Sequence, residues 1–148
     1  MSHTILLDSG PLGLTTSPSG SPAAVNCRRW LLQVARDGAT IIVPEIADYE
    51  VRRELIRARK QEGLERLNAL IEQLDYLAIT TPAMRKAAEY WAQARRQGRP
   101  LAADAALDGD VILAAQAATI RSAKVVVATT NVKHLSVFVE AKSWHEIS

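Results

Sequence analysis

Short apolar runs alternating with segments of helical periodicity constrain this chain more than any other feature. Ile5-Leu6-Leu7, Thr40 to Val43, Leu77 to Ile79 and Lys124 to Ala128 are each strand-sized and mostly branched. Near-continuous apolar runs of this length suit strands buried on both faces. Between them, Val25, Trp30, Leu31, Val34 and Ala35 share one helical stripe, with Ser21 as N-cap, Pro22 in the first turn and a stop at Gly38. Pro44 is expected at N1 of a helix through Ile46, Tyr49, Glu50, Val51, Leu55 and Ile56 to about Lys60. Further helices are expected over Leu64 to Leu74, from Thr81-Pro82 to near Gly98, and from Asp108 or Asp110 to about Ile120, with Pro100 as a break between the last two. Ser9-Gly10-Pro11 reads as a turn and Ser17 to Pro22 as an exposed loop, while Phe138-Val139 and Trp144 to Ile147 offer material for a final edge strand. Strands alternating with helices imply βαβ units and a mostly parallel sheet, an α/β fold.

The 148 residues suit one domain, 1–148, able to bury a core without staples. A content of 48% hydrophobic and 23% charged residues is that of a globular chain, not a disordered one. The single cysteine, Cys27, lies in an apolar stripe and reads as a small buried hydrophobe. No apolar run is long enough to cross a bilayer and the start shows no signal-peptide pattern, so a cytoplasmic protein is expected. The net charge of +2 decides little, but arginine outnumbers lysine and clusters at Arg28-Arg29, Arg52-Arg53, Arg57-Arg59-Lys60 and Arg95-Arg96-Arg99. These are either solvated helix faces paired with Glu54, Glu62 and Glu65 or a surface for phosphates.

The chemistry-bearing residues are carboxylates. Asp8 directly follows the first strand, and sites in open α/β sheets form at the C-terminal ends of strands. An equally simple reading makes Asp8 a cap for the turn at Ser9 and Gly10. Glu50 and Glu54 are four apart on one helix face, so one can enter a site while the other pairs with an arginine. Glu45 fits the positive end of the same helix. Asp104, Asp108 and Asp110 precede or open the small-residue helix; one of them suffices for an N-cap, and the surplus suits a divalent cation. His3, His134 and His145 lack zinc spacing, and neither a phosphate loop, a dinucleotide fingerprint nor a nucleophile elbow is present.

These residues, in this order, resemble the PIN-domain family and, within it, the VapC-type toxin ribonucleases. Four segments carry the likeness: Ile5 to Gly10 with Asp8, Val43 to Glu50 with Glu50, Leu107 to Ala117 with Asp110, and Val126 to Leu135 with Thr130 and Asn131. Many family members place a fourth acid in the closing segment, where this chain has Asn131 and His134; Asp104 or Asp108 would then be the nearest replacement charge. The resemblance implies a three-layer α/β/α fold and endoribonuclease activity dependent on Mg²⁺ or Mn²⁺. Asp8, Glu50 and Asp110 would be catalytic and metal-binding, Asp108 a further metal ligand, and Ser9, Thr130 and Asn131 would position water or RNA. It also implies a homodimer and a cognate antitoxin that blocks the site; separately, the apolar faces of the paired helices Pro44 to Lys60 and Leu64 to Leu74 read either as core or as a partner groove. The rival expectations are an inactive PIN-fold module that binds RNA or protein, and a DNA nuclease of the same broad family.

Overall fold

The computed structural model describes residues 3–98, 104–122 and 124–148, the side chains of 104–106 excepted. Five strands, β1 (Thr4–Leu7), β2 (Thr40–Pro44), β3 (Asp75–Leu77), β4 (Val125–Thr129) and β5 (Ala141–Ser143), form one sheet in the order β3-β2-β1-β4-β5. Every pairing is parallel. The chain therefore steps outward from β1 through β2 to β3, then returns to the other side of β1. The reversal of strand order lies between β1 and β4, where open α/β sheets place their crevice.

Strand periodicity sends alternate residues to two separate cores. Ile5 and Leu7 of β1, Ile41 and Val43 of β2, and Val126 and Ala128 of β4 pack under α1 (Ser9–Thr16), α2 (Pro22–Arg36), α3 (Glu45–Arg57) and α4 (Gln61–Gln73). Leu6, Ile42 and Val127 face the other way, against α6 (Asp104–Ala118) and α7 (Val132–Leu135). A further helix, α5 (Thr81–Arg96), packs outside α6 through Ala83, Ala87 and Ala94 against Leu107, Val111 and Ala115. The small residues of α6 thus serve two interfaces at once. The layers are α/β/α, as the family resemblance implies, with the sheet wholly parallel.

Several local expectations shift. Ser9-Gly10-Pro11 is the first turn of α1, not a free turn. Asp8 caps that helix, and Pro11 is tolerated because a first-turn N–H has no intrahelical acceptor to lose. Pro44 ends β2 and stands at the N-cap of α3 rather than at N1. The third strand lies at Asp75–Leu77, two residues earlier than the apolar run suggests, and the edge strand is Ala141–Ser143, between the two expected pieces. Trp144–Glu146 forms a 3₁₀ turn instead. Since α6 starts at Asp104, Asp108 and Asp110 are interior helical residues and not its caps. Arg99, Pro100 and the side chain of Asp104 lie outside the described residues.

One buried amide fixes how α3 meets the sheet. Gln116 of α6 is fully buried; its Nε2 donates to Leu77 O (2.8 Å), and its Oε1 accepts from Ile46 N (3.4 Å). It satisfies the end of β3 and the start of α3 together, as a buried amide must. Glu45 adds a second tie by accepting from Ile79 N at 2.7 Å.

Candidate active site

Asp8 leaves β1 at the strand-order reversal, and both its oxygens are held. Oδ1 accepts from the Ser9 N–H at 2.7 Å, with the Ser9 hydroxyl at 3.5 Å. Oδ2 accepts from the Thr129 hydroxyl at 2.7 Å. The aspartate is only 7% exposed. Burial raises its pKa, and the bonds from Thr129 and Ser9 partly offset that rise by favouring the charged form. Capping α1 and facing a site, the two readings of Asp8 open in the sequence, are therefore compatible.

Thr129 is a residue that sequence reasoning missed. It ends β4 fully buried, and its oxygen also accepts from the Asn131 N–H at 2.8 Å. The available signal was a hydroxyl closing the most β-like run of the chain, in register with the end of β1. Thr130 is exposed and sits against Gly10; a Cβ on that glycine would lie 2.7 Å from Thr130 Oγ1. Asn131 stands at the N-cap position of α7, but its side chain makes no cap bond there.

Glu50 reaches the site from α3, and its pKa is pushed up to about 7. Burial is the main cause, followed by the negative charge of Asp8, opposition from Arg53, and a further push from Asp110. The Gly109 backbone lies against it: a Cβ there would stand 2.7 Å from Glu50 Oε2. Asp110, from α6, is pushed up to about 6 by burial and then by Asp8. Its Oδ2 lies 3.8 Å from His134 Nδ1. Three carboxylates from three separate elements therefore feel one another's charge.

The neighbouring acids divide cleanly. Glu54 is exposed and ion-paired with Arg57, which lowers its pKa. Asp48 pairs with Arg52 at 3.0 Å and accepts from the Tyr76 hydroxyl at 2.8 Å. Asp108 is exposed and is not among the charges acting on Glu50 or Asp110. Two positions along α6 turn the helix by roughly 200°, so Asp108 and Asp110 face opposite ways.

A groove of about 1090 Å³ leads away from Glu50 and Ser9. It runs between α1 with the segment after it, on one side, and α3 with the start of α4 on the other, and its charged lining mixes Arg53 and Lys60 with Glu54 and Glu62. Among the described residues no three His, Cys, Asp or Glu side chains are gathered into a closed metal-ligating cluster. The donor set still fits a hard dication. The carboxylates supply oxygen, their mutual repulsion favours added positive charge, and Asp110 Oδ2 is buried without a hydrogen-bond partner. Mg²⁺ and Mn²⁺ sites usually retain several waters, so a partial ring of carboxylates is sufficient.

No helix among the described residues is long and apolar enough to cross a membrane. No curated protein matches the sequence. The fold is similar to that of VapBC2 from Rickettsia felis bound to a DNA fragment from their promoter, with a TM-score of 0.70 at 13% identity, covering 95% of this chain and 98% of that one. It is also similar to FitAcB from Neisseria gonorrhoeae, with a TM-score of 0.65 at 19% identity, covering 97% and 99%. DNA-bound VapBC from Salmonella typhimurium matches with a TM-score of 0.61 at 22% identity, again covering 97% and 99%. At such identities these likenesses speak for the fold alone. The family model described as PIN domain matches residues 5–136, which takes in most of β1, Asp8, Glu50, Asp110 and the chain after β4 through α7. With most of its length matched in this way, the chain belongs to the PIN domain family.

Proposed function

We propose that this protein is a divalent-metal-dependent endoribonuclease and the toxin of a toxin–antitoxin pair. The observation that carries the reading is that Asp8, Glu50 and Asp110, each from a different part of the fold, act on one another's charge, with Asp8 at the strand-order reversal. These three would hold Mg²⁺ or Mn²⁺. When bound, such an ion lowers the pKa of a coordinated water and stabilises charge on a phosphodiester.

The chain's own groups do the rest. Thr129 and the Ser9 N–H fix both oxygens of Asp8, so the carboxylate need not reorganise when its surroundings gain charge. Ser9, Thr130 and Asn131 would position RNA and water. Arg53 and Lys60 along the groove would attract backbone phosphates without reading sequence. The same groove is the natural seat for an antitoxin segment carrying a basic side chain into the carboxylates. The structural neighbours are themselves VapBC and FitAcB assemblies, which supports a protein partner. Tyr49 and Ile56 on α3, two turns apart and both exposed, leave an apolar strip suited to a homodimer.

A second reading, a binding module without catalysis, is favoured by one observation: residues 129–136 contain no carboxylate. The test is an RNA cleavage assay with Mn²⁺, Mg²⁺ or chelator, comparing wild type with Asp8→Asn. Metal-dependent cutting that disappears in the variant supports the nuclease. Equal cutting by both proteins, or none by the folded wild type across varied RNAs, goes against it. DNA as competitor separates a ribonuclease from a DNA nuclease.

A further inference from the structure

Among the described residues, two buried side-chain polar atoms have no hydrogen-bond partner, Asp110 Oδ2 and His134 Nδ1. They come from different helices, α6 and α7, yet face each other across 3.8 Å. Orphaned polar atoms inside a protein cost free energy, and two that face each other can be satisfied together by one shared partner. The gap is too long for a direct hydrogen bond. It is within reach of two metal–donor bonds of about 2.0–2.2 Å each.

The chemistry of the pair differs from that of the other acids. Asp8 has both oxygens hydrogen-bonded, and Glu50 is an oxygen donor like it. His134 alone brings a nitrogen, in a segment with no carboxylate of its own. Oxygen donors accept Mg²⁺ and Mn²⁺ alike, whereas an imidazole nitrogen is a poor ligand for the harder Mg²⁺ and a better one for first-row transition dications. The backbone of His134 is anchored: its N–H donates to Asn131 O at 3.2 Å in the short turn of α7, and Leu135 beside it is fully buried.

We propose that His134 is a metal ligand, sharing a transition dication with Asp110, so that the site discriminates Mn²⁺ from Mg²⁺. The inference rests on the metal-dependent reading of the same site. It goes further by naming a nitrogen donor and the selectivity that follows from it.

Mn²⁺ bound to the full chain tests this by electron spin-echo modulation, which reports nitrogen directly bonded to the ion and needs no activity. The wild type should show imidazole ¹⁴N modulation that is lost in His134→Ala and in His134→Gln. Removing groups that merely orient ligands weakens metal binding by about 10–100-fold, so losing the ligand itself should lower Mn²⁺ affinity at least that far, with a smaller loss for Mg²⁺ measured by competition. Mn²⁺ bound in an Asp8-dependent way but without nitrogen modulation overturns the assignment of His134 and leaves the metal-dependent reading standing. Mn²⁺ bound no better by the wild type than by Asp8→Asn overturns both. The wild-type spectrum decides the question even if one variant fails to fold.

Discussion

The Thr129 hydroxyl donates to Asp8 Oδ2 at 2.7 Å, joining the ends of β4 and β1 by a side-chain bond in full burial. Because the same oxygen accepts from the Asn131 N–H, one hydroxyl organises both the first carboxylate and the segment that follows β4.

Thr129→Val should therefore orphan a carboxylate oxygen and a backbone donor together. Leaving a buried polar group unsatisfied costs about 1–3 kcal/mol, and the Asp8 pKa should rise further once its largest favourable bond is gone. Urea denaturation at neutral pH reads the loss, and Thr129→Ser should recover most of it. An unchanged midpoint for the valine variant would show that the bond does not hold the site.

Glu50 and Glu54, one turn apart, should behave as opposites. Glu50→Gln is expected to abolish metal-dependent cleavage and weaken Mn²⁺ binding. Glu54→Gln removes an exposed partner of Arg57 on the groove wall and should leave Mn²⁺ binding unchanged. Calorimetric Mn²⁺ titration of the two variants checks this, and a large loss from Glu54→Gln would contradict the division of roles.

Gly109→Ala separates stability from function. Alanine is favoured over glycine within a helix by roughly 0.5–1 kcal/mol, so α6 itself should not suffer. The new Cβ would stand 2.7 Å from Glu50 Oε2, and the carboxyl, as the end of a flexible chain, would swing aside. Displacing one catalytic group by about 1 Å can cost of the order of a hundredfold. The expected outcome is an unchanged or slightly raised melting temperature with strongly reduced cleavage; a destabilised but fully active variant would refute it.

The raised acids should give the metal-free protein an inverted pH dependence. Glu50 is pushed up to about 7 from 4.5, and Asp110 to about 6 from 3.8. Between the unfolded and folded values the native state binds more protons than the unfolded one, so stability falls as pH rises through that window. In chelator the protein should thus melt higher near pH 5 than near pH 8. Mn²⁺ binds the deprotonated carboxylates, so its stabilising shift should grow over the same range. Thermal melts at both pH values, with and without Mn²⁺, test this, and Glu50→Gln should flatten the metal-free profile. A metal-free protein that gains stability from pH 5 to pH 8 would show that the acids are not buried against one another.

Much of the architecture was legible in the residues. The runs Ile5-Leu6-Leu7, Ile41-Ile42-Val43 and Val125-Val126-Val127 are apolar on both faces, which only a parallel sheet covered by helices on each side accommodates. Asp8 at the end of the first run was legible for the same reason: a charged group terminates a buried strand, and strand ends are where such folds build sites. Asp110 and Glu50 were selected by the order of segments, a likeness that needs no geometry.

What local sequence could not carry was orientation. Glu50 and Glu54 share a face by periodicity, and only the seating of α3 on Ala47 and Val51, with Gln116 and Glu45 pinning its start, sends one to the carboxylates and the other to solvent. Asp108 and Asp110 were equivalent as candidate caps until α6 proved to begin at Asp104 and turned them apart. Ser9-Gly10-Pro11 carries turn chemistry, yet the Asp8 cap and the packing of Leu12 beneath the sheet make it helix. Thr129 and His134 gained their places from contacts 121 and 24 residues away in the chain, with Asp8 and Asp110. Periodicity and strand-end chemistry are properties of neighbours along the chain and so determined the elements and their order. Which polar groups meet is set by how those elements pack, and only the tertiary structure decided it.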